Sequence, residues 1–294
     1  MRREISHHSE PLPPQTREEV ETMKENEMRR RRHCRRGLAT PVSTLLILFS
    51  LTMVSTVAYH YALTQIEARK EDLKLIAAEE KMLDMEEAIS SSAWAPGSVR
   101  TLAFSDYGGQ LRVEPGENPL LINVTLGGET STVFEADTGR FLYELPSTVV
   151  GDLGRWLRGD SRPIVNQSTS YQAQMSVETG DERQELRARY RPLLSSSVGG
   201  LVAGRYVNQI RVYVVNLNAS QAIQSGGEFH VKATCTGVTT SVHTFNTSEA
   251  LAGVTAVLGG SSMTLQVPLT SGPSGATVRV EVVVSHVKIE GVGV

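Results

Sequence analysis

Asn123, Asn166, Asn218 and Asn246 each stand two residues before a Ser or Thr with no proline between, so four of the eight asparagines in this 294-residue chain lie in N-glycosylation sequons. The chemistry they offer is attachment of a sugar to the side-chain amide. Other reactive side chains are scattered. His230, His243 and His286, with Cys235 nearby, match no zinc spacing, and strand residues of opposite parity point to opposite faces. Ser, His and Asp are all present without a Gly-x-Ser-x-Gly elbow or a comparable nucleophile setting. The expectation is a protein that is not an enzyme, with no catalytic, cofactor-binding or metal-binding residue and no cofactor. The run Leu186 to Arg191 alternates strictly, placing Arg187, Arg189 and Arg191 on one strand face and Leu186, Ala188 and Tyr190 on the other. Read simply, those arginines form a solvated outer face. Read more sharply, they form a surface-binding strand for acidic groups on a neighbouring subunit or on surface glycans.

The elements that must carry these residues begin with a membrane segment. Six arginines (Arg29, Arg30, Arg31, Arg32, Arg35 and Arg36) crowd the eight positions before Gly37, and no charge follows until Glu67. A charge near the bilayer centre costs about 2.5 to 3.5 kcal/mol on insertion scales, so an uncharged run of this length reads as one span whose start the arginines hold in the cytoplasm. The first 37 residues contain ten of the 29 Lys/Arg and seven of the 32 Asp/Glu, which leaves 19 basic and 25 acidic residues beyond them, a net of -6. That balance gives no attraction to nucleic acid. Cys34 and Cys235, the only cysteines, fall on opposite sides of the membrane, so the outer part must be held by its core alone.

Three processing fates compete for the N-terminal segment. A lipoprotein signal needs its cysteine after the apolar run, whereas Cys34 precedes it. A secretory signal has a shorter apolar core of about 7 to 15 residues and a small-residue cleavage site behind it. Here Tyr59, His60 and Tyr61 interrupt the small residues around Ala58 and Ala62. The third fate is a cut on the cytoplasmic side. The segment Arg35-Arg36-Gly37-Leu38-Ala39-Thr40-Pro41-Val42 resembles the class III (prepilin) signal of archaeal type IV pilins and archaellin-like proteins, where a basic pair and Gly precede an apolar helix with an early Ser/Thr-Pro-Val. The resemblance implies cleavage between Gly37 and Leu38 by a membrane prepilin peptidase, and use of the freed helix for assembly with itself or other pilin-like subunits. Bacterial pilins usually have Glu at the fifth mature position, where this chain has Val42.

Beyond the span, Gln65 to Ser92 lacks Gly and Pro, and Ile66, Leu73, Ile76 and Leu83 form a stripe suited to rest on a folded domain. The helix is expected to run from about Thr40 to Ile89. Ala93-Trp94-Ala95-Pro96-Gly97-Ser98, leading to the Tyr107-Gly108-Gly109 turn, is similar to segments of archaeal pilin-like surface proteins. Ten strands are then predicted: 100–104, 110–114, 120–126, 141–145, 171–177, 185–191, 209–216, 228–235, 263–268 and 276–284, with glycine pairs between many of them. Residues 192–204 read as a Pro, Ser and Gly-rich break, and a short helix is expected over Ala250 to Val257 behind a Ser/Thr cap.

The fold class expected is α+β, a long N-terminal transmembrane, pilin-type helix followed by an antiparallel β-sandwich-like ectodomain. Its parts are a basic leader 1–37, a transmembrane segment 38–63, a helical extension 64–92 and a β-rich ectodomain 97–294, able to fold alone, with a subdivision near 192–204. The protein should lie in the cytoplasmic membrane as a single pass, N-terminus inside, or in an extracellular filament after processing. The alternative is a permanently anchored adhesin, receptor or envelope-interaction module.

Overall fold

A computed structural model describes residues 17–146, 152–166, 171–180 and 183–292; of the side chains before Pro41 it describes those of Thr22, Lys24, Glu25 and Met28. Helix α1 spans Arg17–Ser92 without interruption. It therefore starts well before the expected Thr40, because Arg17 to Arg36 is free of Gly and Pro and rich in strong helix formers. The chain forms two compact units, Met1–Ala68 and Arg69–Val294, divided within α1.

In the first unit every side chain from Pro41 to Ala68 is exposed. This is the one helix among the described residues long and apolar enough to cross a membrane. Its threonines are satisfied locally: Thr44 donates to the Pro41 carbonyl at 2.9 Å, Thr52 to Phe49 at 2.8 Å and Thr56 to Thr52 at 2.8 Å. Such back-bonds leave few unmet polar groups on a surface with no buried partner.

In the second unit the last turns of α1 are part of the core. Ala78, Met82, Met85, Ile89 and Ala93 are buried, with Leu75 and Leu83 packed at the margin. The expected stripe is not the one used, since Ile66, Leu73 and Ile76 are each more than half exposed and only Leu83 touches the core. At 3.6 residues per turn Ile66 and Leu73 lie on the side opposite Met82 and Ile89. The buried side has the smaller Ala78 and Ala88 and the adaptable methionines, which allow a helix to settle closely onto strands.

Sixteen strands follow among the described residues, in three sheets. The largest, sheet A, orders β1 (Val99–Phe104), β13 (Phe229–Thr247), β16 (Ala276–Val292), β11 (Arg205–Asn216), β10 (Leu193–Val202) and β7 (Val165–Asn166). Sheet B orders β12 (Ile223–Gly226), β2 (Gln110–Glu114), β5 (Arg140–Glu144), β9 (Gln184–Tyr190), β8 (Ala173–Thr179) and β6 (Trp156–Arg158). Sheet C orders β15 (Ser261–Pro268), β14 (Leu251–Leu258), β3 (Pro119–Leu126) and β4 (Glu129–Asp137). Most neighbours are antiparallel, but β11 runs parallel to β16 and β10 parallel to β7. The architecture is thus a long apolar helix followed by a mostly β domain of several sheets.

The long strands of sheet A serve two cores on opposite faces. In β16, Val278, Val280, Val282 and Val284 pack with sheet C, whereas Val287 and Ile289, of the other parity, pack with sheet B and α1. β11 changes parity in the same way, from Ile210, Val212 and Val214 to Val215 and Leu217. Alternation along a strand makes these two faces of one sheet.

Two further expectations are corrected. Residues 192–204 are no break: they form β10 and a hairpin into β11, closed by Ala203 and Gly204, both with positive φ. Two such residues in succession suit a tight hairpin turn whose twist matches the flanking strands. The helix expected over Ala250 to Val257 is strand β14, in which Ala252, Val254, Ala256 and Leu258 are buried with period two. The Ser/Thr cap signal was outweighed by alternation that fits an interior strand between β15 and β3.

Because Ile89 is fully buried and Leu73 is 66% exposed, truncation should separate them. Ile89→Ala should destabilise the Arg69–Val294 unit by about 2 to 5 kcal/mol, and Leu73→Ala by less than about 0.5 kcal/mol. Denaturant melts of the detergent-solubilised chain measure both.

Candidate functional site

The strongest concentration of polar chemistry lies where α1 meets the β domain. Glu79 and Glu86, seven residues and two turns apart, share one side of the helix. Arg155 pairs with Glu79, and Arg158 with Glu86, whose side chain is almost fully buried. The Arg158 guanidinium also lies over the Tyr171 ring, 4.7 Å from its centroid. Tyr190 donates to the Glu86 carbonyl at 3.3 Å, and burial raises its phenol well above the ordinary value. Burial likewise raises the Glu79 carboxyl, outweighing the opposing pull of Arg155. A buried charge left without its partner is strongly destabilising. The two arginines, which come from one short segment at β6, therefore act as a clasp that fixes the helix against sheet B.

The helix end is held as closely. Its terminal carbonyl groups have no partner within the helix. The Ala93 carbonyl accepts the Ser285 hydroxyl and the Cys235 thiol, the latter at 3.0 Å, so β16 and β13 supply the missing donors. Gly97 then donates to the Cys235 carbonyl at 2.8 Å, and Cys235 to the Ser98 carbonyl at 3.1 Å, starting the β1–β13 pairing. Gly97 has a φ of +83°, a turn conformation that glycine takes without strain. Trp94, just outside, meets the Tyr213 ring edge-on at 5.5 Å. Cys235 is thus a buried structural thiol.

The arginine strand is built differently from a uniformly solvated face. Leu186, Ala188 and Tyr190 do point into the core, but β9 is an interior strand between β5 and β8. Arg187 pairs with Glu178 at 2.6 Å and with Glu185 at 2.9 Å. Arg191 has no exposed side-chain surface; it donates to Asp160 Oδ1 at 2.5 Å and to the carbonyls of Arg162 and Tyr171 at 2.9 and 3.0 Å. It pins Asp160 and Arg162, just after β6, and Tyr171, just before β8, and cannot reach a surface ligand. Arg189 gives its Nε to Gln174 Oε1 at 2.9 Å, and burial lowers its pKa.

The sequon asparagines are spread over the domain. Asn218 lies exposed in the turn after β11, and Asn246 exposed near the end of β13, accepting from Thr277 at 3.1 Å. Asn166 ends β7 and is exposed; Asn123 sits mid-strand in β3, half-buried, with the Thr132 hydroxyl on its Oδ1 at 2.9 Å. Gly37 and Leu38 lie on the backbone of α1, and their side chains fall outside those described. His230 and His243 lie on β13 and His286 on β16, where Thr239 meets its ring at 3.0 Å. Among the described residues no group of three His, Cys, Asp or Glu is placed to hold a metal ion. A cleft of about 270 Å³ between β15 and β10 is lined by Leu194, Ser195, Ser196 and Leu265 to Pro268, with Asn166, and has no titratable group. Comparison with protein-family models, curated proteins and solved structures finds no match.

The sequence reading missed the clasp and the helix-end bonds. The signal available for the clasp was the i, i+7 spacing of Glu79 and Glu86 on the side that also carries Met82, together with Arg155-x-x-Arg158. For Ser285 and Cys235, whose partner is a backbone carbonyl, there was none.

Asp160 provides a pH test. Arg162 and then Arg191 hold its carboxyl well below the usual carboxylate range. Since the folded value lies below the unfolded one, this carboxylate stabilises the fold above the ordinary value of 3.8 and the contribution disappears as pH falls beneath it. The gap in melting temperature between the native chain and Asp160→Asn should therefore be largest near neutral pH and shrink as the solution is acidified to about pH 3. A gap that stays constant would contradict the assignment.

Proposed function

We propose that this chain is a non-enzymatic surface protein of the archaeal type IV pilin-like class, a filament subunit or minor pilin. The observation that carries the reading is the join at Arg35-Arg36-Gly37, where a basic leader meets an apolar helix with no spacer and with Pro41 in the first turn of the mature chain. A prepilin peptidase would cut between Gly37 and Leu38 and free the helix for packing with copies of itself or with related subunits.

The described features support this division of labour. Side chains exposed all round the helix from Pro41 to Ala68 suit lipid or the core of a helical filament, where close packing and occasional polar contacts replace the hydrophobic drive. The β domain, which we read as sandwich-like, would then be displayed outside the cytoplasmic membrane. Glycans on Asn123, Asn166, Asn218 or Asn246 would face the same side. Contact with acidic surface groups could involve Arg187 or Arg189, and Arg191 is set aside by its burial.

The processing step is the discriminating one. Intact-mass analysis of protein from native membranes should give a chain beginning at Leu38, and Gly37→Phe should leave a longer precursor. A native chain that retains Arg29 to Arg36 would sink the pilin reading and leave a permanently anchored single-pass adhesin or receptor.

A further inference from the structure

β13 is 19 residues long, yet its two sides are unequally used. One side pairs with β16 from His230 to Thr247. The other pairs with β1 only from Phe229 to Thr234, ending where β1 begins at Val99; a bulge between Cys235 and Gly237 lies just beyond, in the β13–β16 ladder. From Val238 to Thr247, β16 is the only strand neighbour among the described residues. Ten residues of strand, about 33 Å, thus present one row of backbone N–H and C=O groups to solvent.

Proteins usually blunt such an edge with Lys, Pro, inward charges or extreme shortness. This stretch has none of these devices: Val238-Thr239-Thr240-Ser241-Val242-His243-Thr244-Phe245-Asn246-Thr247 contains no Lys, Arg, Asp, Glu or Pro. The bulge lies at its base, so the ten residues beyond remain in regular register with β16. The residues are largely β-branched or aromatic, and Thr240, Ser241, Val242, Thr244 and Asn246 are exposed.

We propose that this edge is an assembly surface, on which the Val238–Thr247 edge of a second copy of the same chain adds by antiparallel strand pairing. A bare strand edge recognises another strand, and this one is self-complementary. A two-fold axis through the sheet at Val242 places Val242 opposite its own copy and Thr240 opposite Thr244 on one face, with Ser241 opposite His243 and Thr239 opposite Phe245 on the other. Thr–Thr and aromatic–β-branched pairs are favourable across strands, and no like charges meet. The two copies of sheet A would become one continuous sheet. An edge alone covers less than the roughly 1,600 Å² of a standard stable interface, so the pairing belongs to copies concentrated by their apolar helices in one membrane or filament. It uses that helix but not its processing, and stands or falls independently of cleavage at Gly37.

The test uses the full chain in native membranes. With Cys34→Ser as background, Val242→Cys should form a covalent dimer under mild oxidation, at least tenfold more than Thr255→Cys on sheet C, because directly opposed residues fall within disulfide reach. In the unsubstituted chain reconstituted in lipid vesicles, the amides of 238–247 that face away from β16 should exchange at least tenfold more slowly than in Val242→Lys. Exchange as fast as in the Lys variant, with no dimer above the control, overturns the proposal. So does protection without the cross-link, which would assign the edge to some other strand.

Discussion

The core between sheets A and B depends on one contact, the burial of the last turns of α1. Met82, Met85 and Ile89 lie in the same core as Leu111, Phe141 and Tyr143 of sheet B and Val231, Val287 and Ile289 of sheet A. Without the helix these residues would line a trough open to water. The uncapped Ala93 carbonyl then fixes where β13 and β16 must run, since Cys235 and Ser285 are the donors that reach it. The end of α1, from Ala78 to Ser92, and the β domain therefore share one core, although sequence patterning draws a boundary at Pro96-Gly97.

This arrangement explains how charged residues are used. Glu86 is taken from water and its charge is met by the partly buried Arg158, so it is not an exposed charge available to a ligand. Arg191 does the same work beside β6 and β8, with hydrogen bonds to Asp160, Arg162 and Tyr171. Such pairs add little net stability over well-packed apolar groups, but losing one partner is costly, so they specify position.

Much of this was legible in the sequence, for physical reasons that also mark the limits. The uncharged run after Arg36 announces its helix because length and the absence of charge act locally. Gln110–Glu114 was bounded correctly because one face is buried and glycines flank it, giving clean alternation. β14 is ambiguous in the sequence because Ala and Val with a preceding Ser/Thr cap fit a short helix as well as a strand, and only its neighbours decide. β10 reads as a break in the sequence because Ser195 to Gly200 has little apolar signal; its order comes from pairing with β11. The stripe on α1 failed for a related reason: two apolar stripes exist, and the partner selects the one with smaller side chains. Cross-strand and helix-end bonds, such as that from Ser285 to Ala93, have no pattern in a linear chain.

The helix end is an integral part of the β domain's core, and a comparison of two fragments measures that directly. A soluble chain from Arg69 to Val294 should unfold in one cooperative transition, while a chain from Gly97 to Val294 should bind hydrophobic dye and melt without cooperativity, because its core has lost the buried face of α1. Equal melting temperatures and equally sharp transitions for the two fragments would contradict it.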